Sequence, residues 1–167
     1  TSAEEFASQA EQLKDSIGFF KVAQKSKSGT RQTSLVGWND TYKIGINSID
    51  QQHKNLFSLI NKLYATYGQS KSRNELRVVL TELVDYTVYH FGYEEKIFHE
   101  IQYHDTQKHI EQHKKFVEKV QNFKAKFDDG NISVALDIVH FLQDWLVTHI
   151  LKTDKAYSSV FKQHGIQ

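Results

Sequence analysis

The chain has 167 residues, 25% of them charged and 39% hydrophobic, enough for one domain with a real core plus an appendage. Lys and Arg total 21 against 20 Asp and Glu, and a net charge of +1 gives no electrostatic footing for nucleic acid or an anionic membrane. The absence of Cys excludes disulfides, thiolate metal sites and cysteine nucleophiles, so any metal must be held by nitrogen and oxygen.

Proline is also absent, where average usage would supply about eight, and since Pro breaks helix interiors the chain reads as mostly helical. No apolar run reaches the roughly 18 residues of a membrane span and no signal-peptide pattern opens the chain, so the piece reads as soluble. Beginning at Thr1 and lacking Met, it also reads as a processed or excised piece whose missing context could include a membrane segment.

From Thr1 to Phe20, apolar residues fall at Phe6, Ala10, Leu13, Ile17 and Phe20, a two-heptad seam of steps four, three, four, three. A short amphipathic helix packed on the main domain is the competing reading. Residues 21–34 carry Lys21, Lys25, Lys27 and Arg31 among Ser, Thr, Gln and Gly29 with no acid, the composition of a flexible basic linker. The main domain, 35–167, opens with a non-periodic arm containing Gly37, Trp38 and Gly45.

Four helical segments of about 20 residues follow. Ser48-Ile49-Asp50-Gln51 has the form of a capping box and predicts a first helix running to Tyr67, stopped by Gly68; Ser72-Arg73-Asn74-Glu75 repeats the device for a second, to Glu100. A third is expected from Thr106 to Phe127, ending at Asp128-Asp129-Gly130, and a fourth from Asn131 or Ser133 through His149. The fold class is all-α: short connections between such helices favour an antiparallel up-down-up-down four-helix bundle with an N-terminal arm.

Ionisable groups interrupt every core-facing stripe. The stripes read Ile49, His53, Leu56, Ile60, Leu63; then Leu76, Leu80, Leu83, Thr87, His90, Glu94, Ile97; then His109, His113, Phe116, Val120, Phe123; then Ala135, Ile138, Leu142, Trp145, His149. One such histidine is ordinarily a satisfied core residue. Five on four helices, with a buried Glu, would leave several polar groups unpaired at roughly 1–3 kcal/mol each, and a shared ligand is the economical explanation. Alternating helix direction brings all of them to one end of the bundle.

Asp154 follows His149 by five residues and would point about 140° away in a regular α-helix, so it joins the group only if the turn widens to a π-type bulge. His99, His104, His140 and His164 fall off the stripes and read as solvated. Imidazole and carboxylate without thiolate suit iron, zinc, copper or nickel, and the ligand number suits two ions if both carboxylates bridge. No Glu has His three residues on, unlike ferritin-like di-iron sites.

These residues resemble the hemerythrin family, bacterial branch, over about 38–165. The resemblance rests on Trp38 and Gly45, Asp50-Gln51-Gln52-His53 with Leu56-Phe57, His90-Phe91-Gly92-Tyr93-Glu94-Glu95, the His109 and His113 pair, and Trp145-Leu146 through His149-Ile150 to Asp154 and Tyr157. It implies a diiron centre with one iron on His109, His113 and His149, the other on His53 and His90, and Glu94, Asp154 and an oxo or hydroxo group bridging. The second iron then has five ligands and a place for O2, or for small anions such as azide in the diferric form. Leu56, Phe91, Trp145 and Ile150 are candidate walls of an O2 pocket, with plain core packing the competing reading. The resemblance implies an O2-binding protein with no catalytic residues.

Residues 4–22 resemble the end of the cytoplasmic signalling hairpin of a methyl-accepting chemotaxis receptor. That resemblance implies a cytoplasmic oxygen or redox sensor, with the receptor signalling domain as partner in cis and dimerisation through the receptor coiled coil. An O2 store or carrier, and a diiron oxidase or peroxidase, are the alternatives.

Overall fold

The computed structural model describes residues 34–69, 72–131 and 133–167; the expected seam and nearly all of the basic linker lie outside them. Among the described residues the helices are α1 (Asn47–Gly68), α2 (Arg73–Glu100), α3 (Thr106–Asp128), α4 (Val134–Thr148) and α5 (Lys155–Gln163), with a π-helical segment, His149–Asp154, joining α4 to α5. The fourth long helix is therefore Val134–Gln163, 30 residues rather than about 20, and α2 is likewise longer, at 28.

The capping box at Ser72 is formed: Glu75 N donates to Ser72 Oγ at 3.2 Å and Ser72 N to Glu75 Oε2 at 2.9 Å. The one expected at Ser48 is not. Helix α1 begins at Asn47 with no side-chain cap, and Ser48 Oγ instead accepts from Tyr93 Oη at 3.1 Å. Helix α3 closes as the sequence suggested, with Gly130 at φ +105° and Asn131 N bonded to Lys126 O and Gly130 N to Phe127 O. That is a Schellman ending, which needs the left-handed residue Gly supplies.

Paired contacts establish the antiparallel order. Between α1 and α2, Ser48 meets Tyr93, Asn55 meets Tyr86 and Lys62 meets Glu82, one index rising as the other falls. Between α2 and α3, Glu95 meets His113 and Arg77 meets Asp128; between α3 and the continuous helix of α4 and the π segment, His113 meets His149 and Phe123 meets Phe141. α1 also packs on α4, closing the ring. The result is an all-α up-down-up-down bundle.

Val134–Gln163 is long and apolar enough to cross a membrane by length and composition, with mean hydropathy 1.3 over an 18-residue window. Its Ala135, Ile138, Val139, Leu142, Leu146 and Ile150 are buried in the bundle core, and it turns His149 and Asp154 inward with them. An apolar core helix accounts for that composition.

The arm lies along α1. Leu35 N and Val36 N donate to Asn61 Oδ1 at 2.8 and 3.0 Å, Asn61 Nδ2 donates back to Val36 O, and Trp38 packs edge-on to Phe57. Asp50 accepts from Ile44 N at 2.8 Å and Gly45 N at 3.1 Å, fastening the arm to the first turn of α1. Ser158 Oγ, on α5, donates to Ile44 O.

Candidate metal centre

All seven histidine and carboxylate residues singled out in the sequence meet at one end of the bundle. α1 supplies His53, α2 His90 and Glu94, α3 His109 and His113, and the π segment His149 and Asp154; each is at most 3% exposed. His99, His104, His140 and His164 are exposed. The π segment solves the spacing problem of Asp154. Bonding of the i to i+5 type brings a residue five positions on back over its start, and Asp154 Oδ1 lies 3.1 Å from His149 Nε2.

Two clusters result, Glu94 with His109, His113 and His149, and His53 with His90, Glu94 and Asp154, the ligand atoms of each lying within 4.8 Å of one another. The carboxylates divide their oxygens between them. Glu94 Oε2 is 3.4 Å from His113 Nε2 and 3.6 Å from His109 Nε2, while Oε1 is 3.6 Å from His90 Nε2. Asp154 Oδ1 faces His109 and His149 at 3.4 and 3.1 Å, and Oδ2 faces His53 Nε2 at 3.3 Å.

Buried groups without partners show what the site is built for. Both oxygens of Asp154, Glu94 Oε2 and both nitrogens of His53 make no hydrogen bond. Such orphans are costly unless something else satisfies them. Nε2 of His149 sits 3.2 Å from Nε2 of both His113 and His109. Nitrogens about 2.1 Å from a shared ion and at right angles lie about 3.0 Å apart, so three imidazole nitrogens converging at this spacing fit a metal.

The electrostatics of the metal-free protein are correspondingly tense. Burial pushes His90 down to about 4 despite the nearby Glu94. Burial also lowers His109, but Asp154 and Glu94 beside it prevail and lift it to about 9. Burial raises both carboxyls, and the surrounding imidazoles more than reverse this, holding Glu94 and Asp154 below the usual carboxylate range. Tyr157, wholly buried and donating to Glu94 Oε1, is pushed well above the ordinary phenol value by burial and by both carboxylates, so its hydroxyl keeps its proton.

Aromatic rings enclose the cluster. Phe91 stacks on His113 at 3.7 Å and Trp145 on His149 at 4.1 Å, and Phe98 packs 4.6 Å from His109. Leu56, Phe91 and Trp145 line an apolar cavity with Ile60, Leu83, Thr87, Phe116, Leu142 and Leu146. Ile150 is fully buried but is not among that cavity's walls.

Residues 44–160 match the Hemerythrin HHE cation binding domain. The chain belongs to the hemerythrin family. It is 33% identical to a bacteriohemerythrin of Stenotrophomonas maltophilia across 78% of this chain and 84% of the relative, and 35% identical to one of Methylococcus capsulatus across 74% and 95%. A hemerythrin-like protein of Naegleria gruberi is 33% identical over 76% of this chain and 94% of its own. The crystal structure of a wild-type hemerythrin superposes with a TM-score of 0.71, covering 75% of this chain and 97% of that one at 35% identity. The hemerythrin family holds a diiron centre and binds O2 reversibly, and the donors gathered in this hemerythrin domain fit that pair of ions.

The helical periodicity of the sequence does not reveal the residues behind the cluster. Gln52 Oε1 accepts from His90 Nδ1 at 2.9 Å, Glu95 Oε1 from His113 Nδ1 at 2.9 Å, and Tyr157 donates to Glu94. Gln52 and Glu95 each adjoin a residue of the cluster in sequence, about 100° round the helix from it and so off the core-facing stripe.

Proposed function

We propose that this diiron O2-binding domain is the oxygen or redox sensor of a chemotaxis receptor, working in the cytoplasm and signalling to the receptor portion in cis through its arm. The observation that carries this reading is the bond from Ser158 Oγ to Ile44 O. Ser158 follows Tyr157, whose hydroxyl holds Glu94, and Ile44 lies in the arm that leads back to the receptor-like residues 4–22. A change in how Glu94 is held has a short route to the arm.

His109, His113 and His149 would hold one iron, His53 and His90 the other, with Glu94 and Asp154 shared between them. The two-histidine side has one protein donor fewer, which favours it as the place for O2. When bound, two ferrous ions supply two electrons at one locus, the redox capacity that reversible O2 capture draws on. The chain's own residues do the rest. Glu94 and Asp154 would fix the separation of the two positions, Tyr157 keeps a proton on its Oη against Glu94, and Leu56, Phe91 and Trp145 wall the apolar cavity, the two rings stacking on His113 and His149.

An arm can report a state only through the difference in its docking free energy between states, and about 1.4 kcal/mol gives a tenfold change in the docked ratio. Hydrogen exchange of residues 21–47, measured with the receptor portion present, should differ between the diferrous protein and the O2-treated or diferric protein. Equal exchange in all states, together with a fully reversible optical change on O2 addition and removal, would favour an O2 store instead.

A further inference from the structure

The five imidazoles turn Nε2 inward, and two of them have a side-chain acceptor behind the ring. His90 Nδ1 meets Gln52 Oε1 and His113 Nδ1 meets Glu95 Oε1, both at 2.9 Å. An amide oxygen and a carboxylate both accept, so in each case Nδ1 carries the proton and Nε2 presents its lone pair to the cluster. The two acceptors nevertheless differ in charge. Gln52 is a neutral amide, 7% exposed. Glu95 is a carboxylate with its side chain 30% exposed, so water can solvate what His113 does not use. Phe91, stacked 4° from parallel on His113, holds the ring in line with Glu95.

We propose that Glu95 is a positioning residue that makes the two metal positions unequal, so that the three-histidine position takes its ion first and holds it more tightly. This rests on the two-metal reading of the site. A carboxylate accepting the Nδ1 proton draws it away from the ring and makes Nε2 a stronger donor, whereas a neutral amide does so much less. The charged acceptor therefore stands behind the position that already has three imidazoles, and the neutral one behind the position that has two. The weaker position, on His53 and His90, is the one left able to exchange what it binds.

Donor count alone would also favour the three-histidine position, and Glu95→Gln separates the two causes. The variant is close in shape, keeps an oxygen that can accept from His113, loses the charge, and sits on a partly exposed side chain. The metal-free full chain is titrated with zinc(II), a redox-inert probe, against a chromophoric chelator. Wild-type protein should take two ions in two resolved steps, and Glu95→Gln should weaken the first step by about 10–100-fold, the usual effect of mutating such a partner, with the second step nearly unchanged. In parallel, nitrogen NMR of the zinc-loaded forms should show the Nδ1 resonance of His113 moving while that of His90 stays. Two equal steps in the wild-type protein, or an unaltered first step in Glu95→Gln, would overturn the proposal. A single ion per chain in the wild-type protein would overturn the two-metal reading along with it.

Discussion

Tyr157 donates its hydroxyl proton to Glu94 Oε1 from a position with no exposed surface, and Glu94 thereby enters the centre with one oxygen held and Oε2 free. Replacing Tyr157 with Phe leaves that oxygen without its donor in a dry site. The expected loss of unfolding free energy is about 1.5–3 kcal/mol, the range for a hydrogen bond to a charged group, and urea titration of the two proteins measures it.

Glu94 serves both clusters, whereas His53 serves one. Glu94→Ala should therefore deplete both metal positions, and His53→Ala should leave the three-histidine position filled. Metal analysis of the purified variants distinguishes the two patterns, and a Glu94→Ala protein that retains one ion per chain would show that Glu94 is not shared.

Loading metal must displace a proton at neutral pH, because His109 is raised to about 9 in the metal-free protein and a protonated imidazole cannot ligate. Affinity should rise with pH toward about 9, and calorimetry in buffers of different ionisation heat should register proton release. The same shifts govern stability of the metal-free form. His90 is depressed to about 4 from 6.5, and Glu94 and Asp154 are lowered too, so stability falls as pH drops from about 6.5 through the carboxylate range. His109, raised from 6.5, contributes fully below 6.5 and loses its contribution as pH climbs to about 9. Urea midpoints across that span should be highest near neutrality.

Leu56 lines the apolar cavity and Ile150 does not. Leu56→Ala should admit water beside His53 and speed autoxidation of the O2-treated protein, at a stability cost of about 2–5 kcal/mol. Ile150→Ala should cost a similar amount of stability with a smaller change in autoxidation. Optical decay rates test this, and equal acceleration by both would extend the pocket to Ile150.

The bundle and the convergence of its buried histidines and Glu94 were legible because core-facing residues repeat with the helix. His53 falls in step with Leu56 and Ile60, and His90 and Glu94 with Leu83 and Ile97, so burial could be inferred from register alone. Ser48 was misread because its Ser-x-x-Gln pattern is local, while the start of α1 is fixed by a distant partner: Asp50 faces the arm and Ser48 faces Tyr93 on α2. Gln52 and Glu95 stand in the motifs that carry the resemblance, but their role was not legible for a related reason, since what each accepts comes from a different helix. Asp154 was legible only conditionally, because spacing states what a regular helix forbids and cannot say that the helix will yield.

The widened turn between His149 and Asp154 amounts to one residue more than the geometry needs. Counted with that residue removed, Asp154, Tyr157 and Phe161 fall within about 40° of His149 on an ordinary helix. The segment is therefore an i, i+4 pair carrying an insertion that is absorbed outward, with Lys152 exposed at its crest. Deleting Lys152 should give an uninterrupted α-helix with the same three side chains still facing the axis and the metal retained. Deleting Gly92 between His90 and Glu94, where no slack exists, should swing one of that pair out of the centre and empty it.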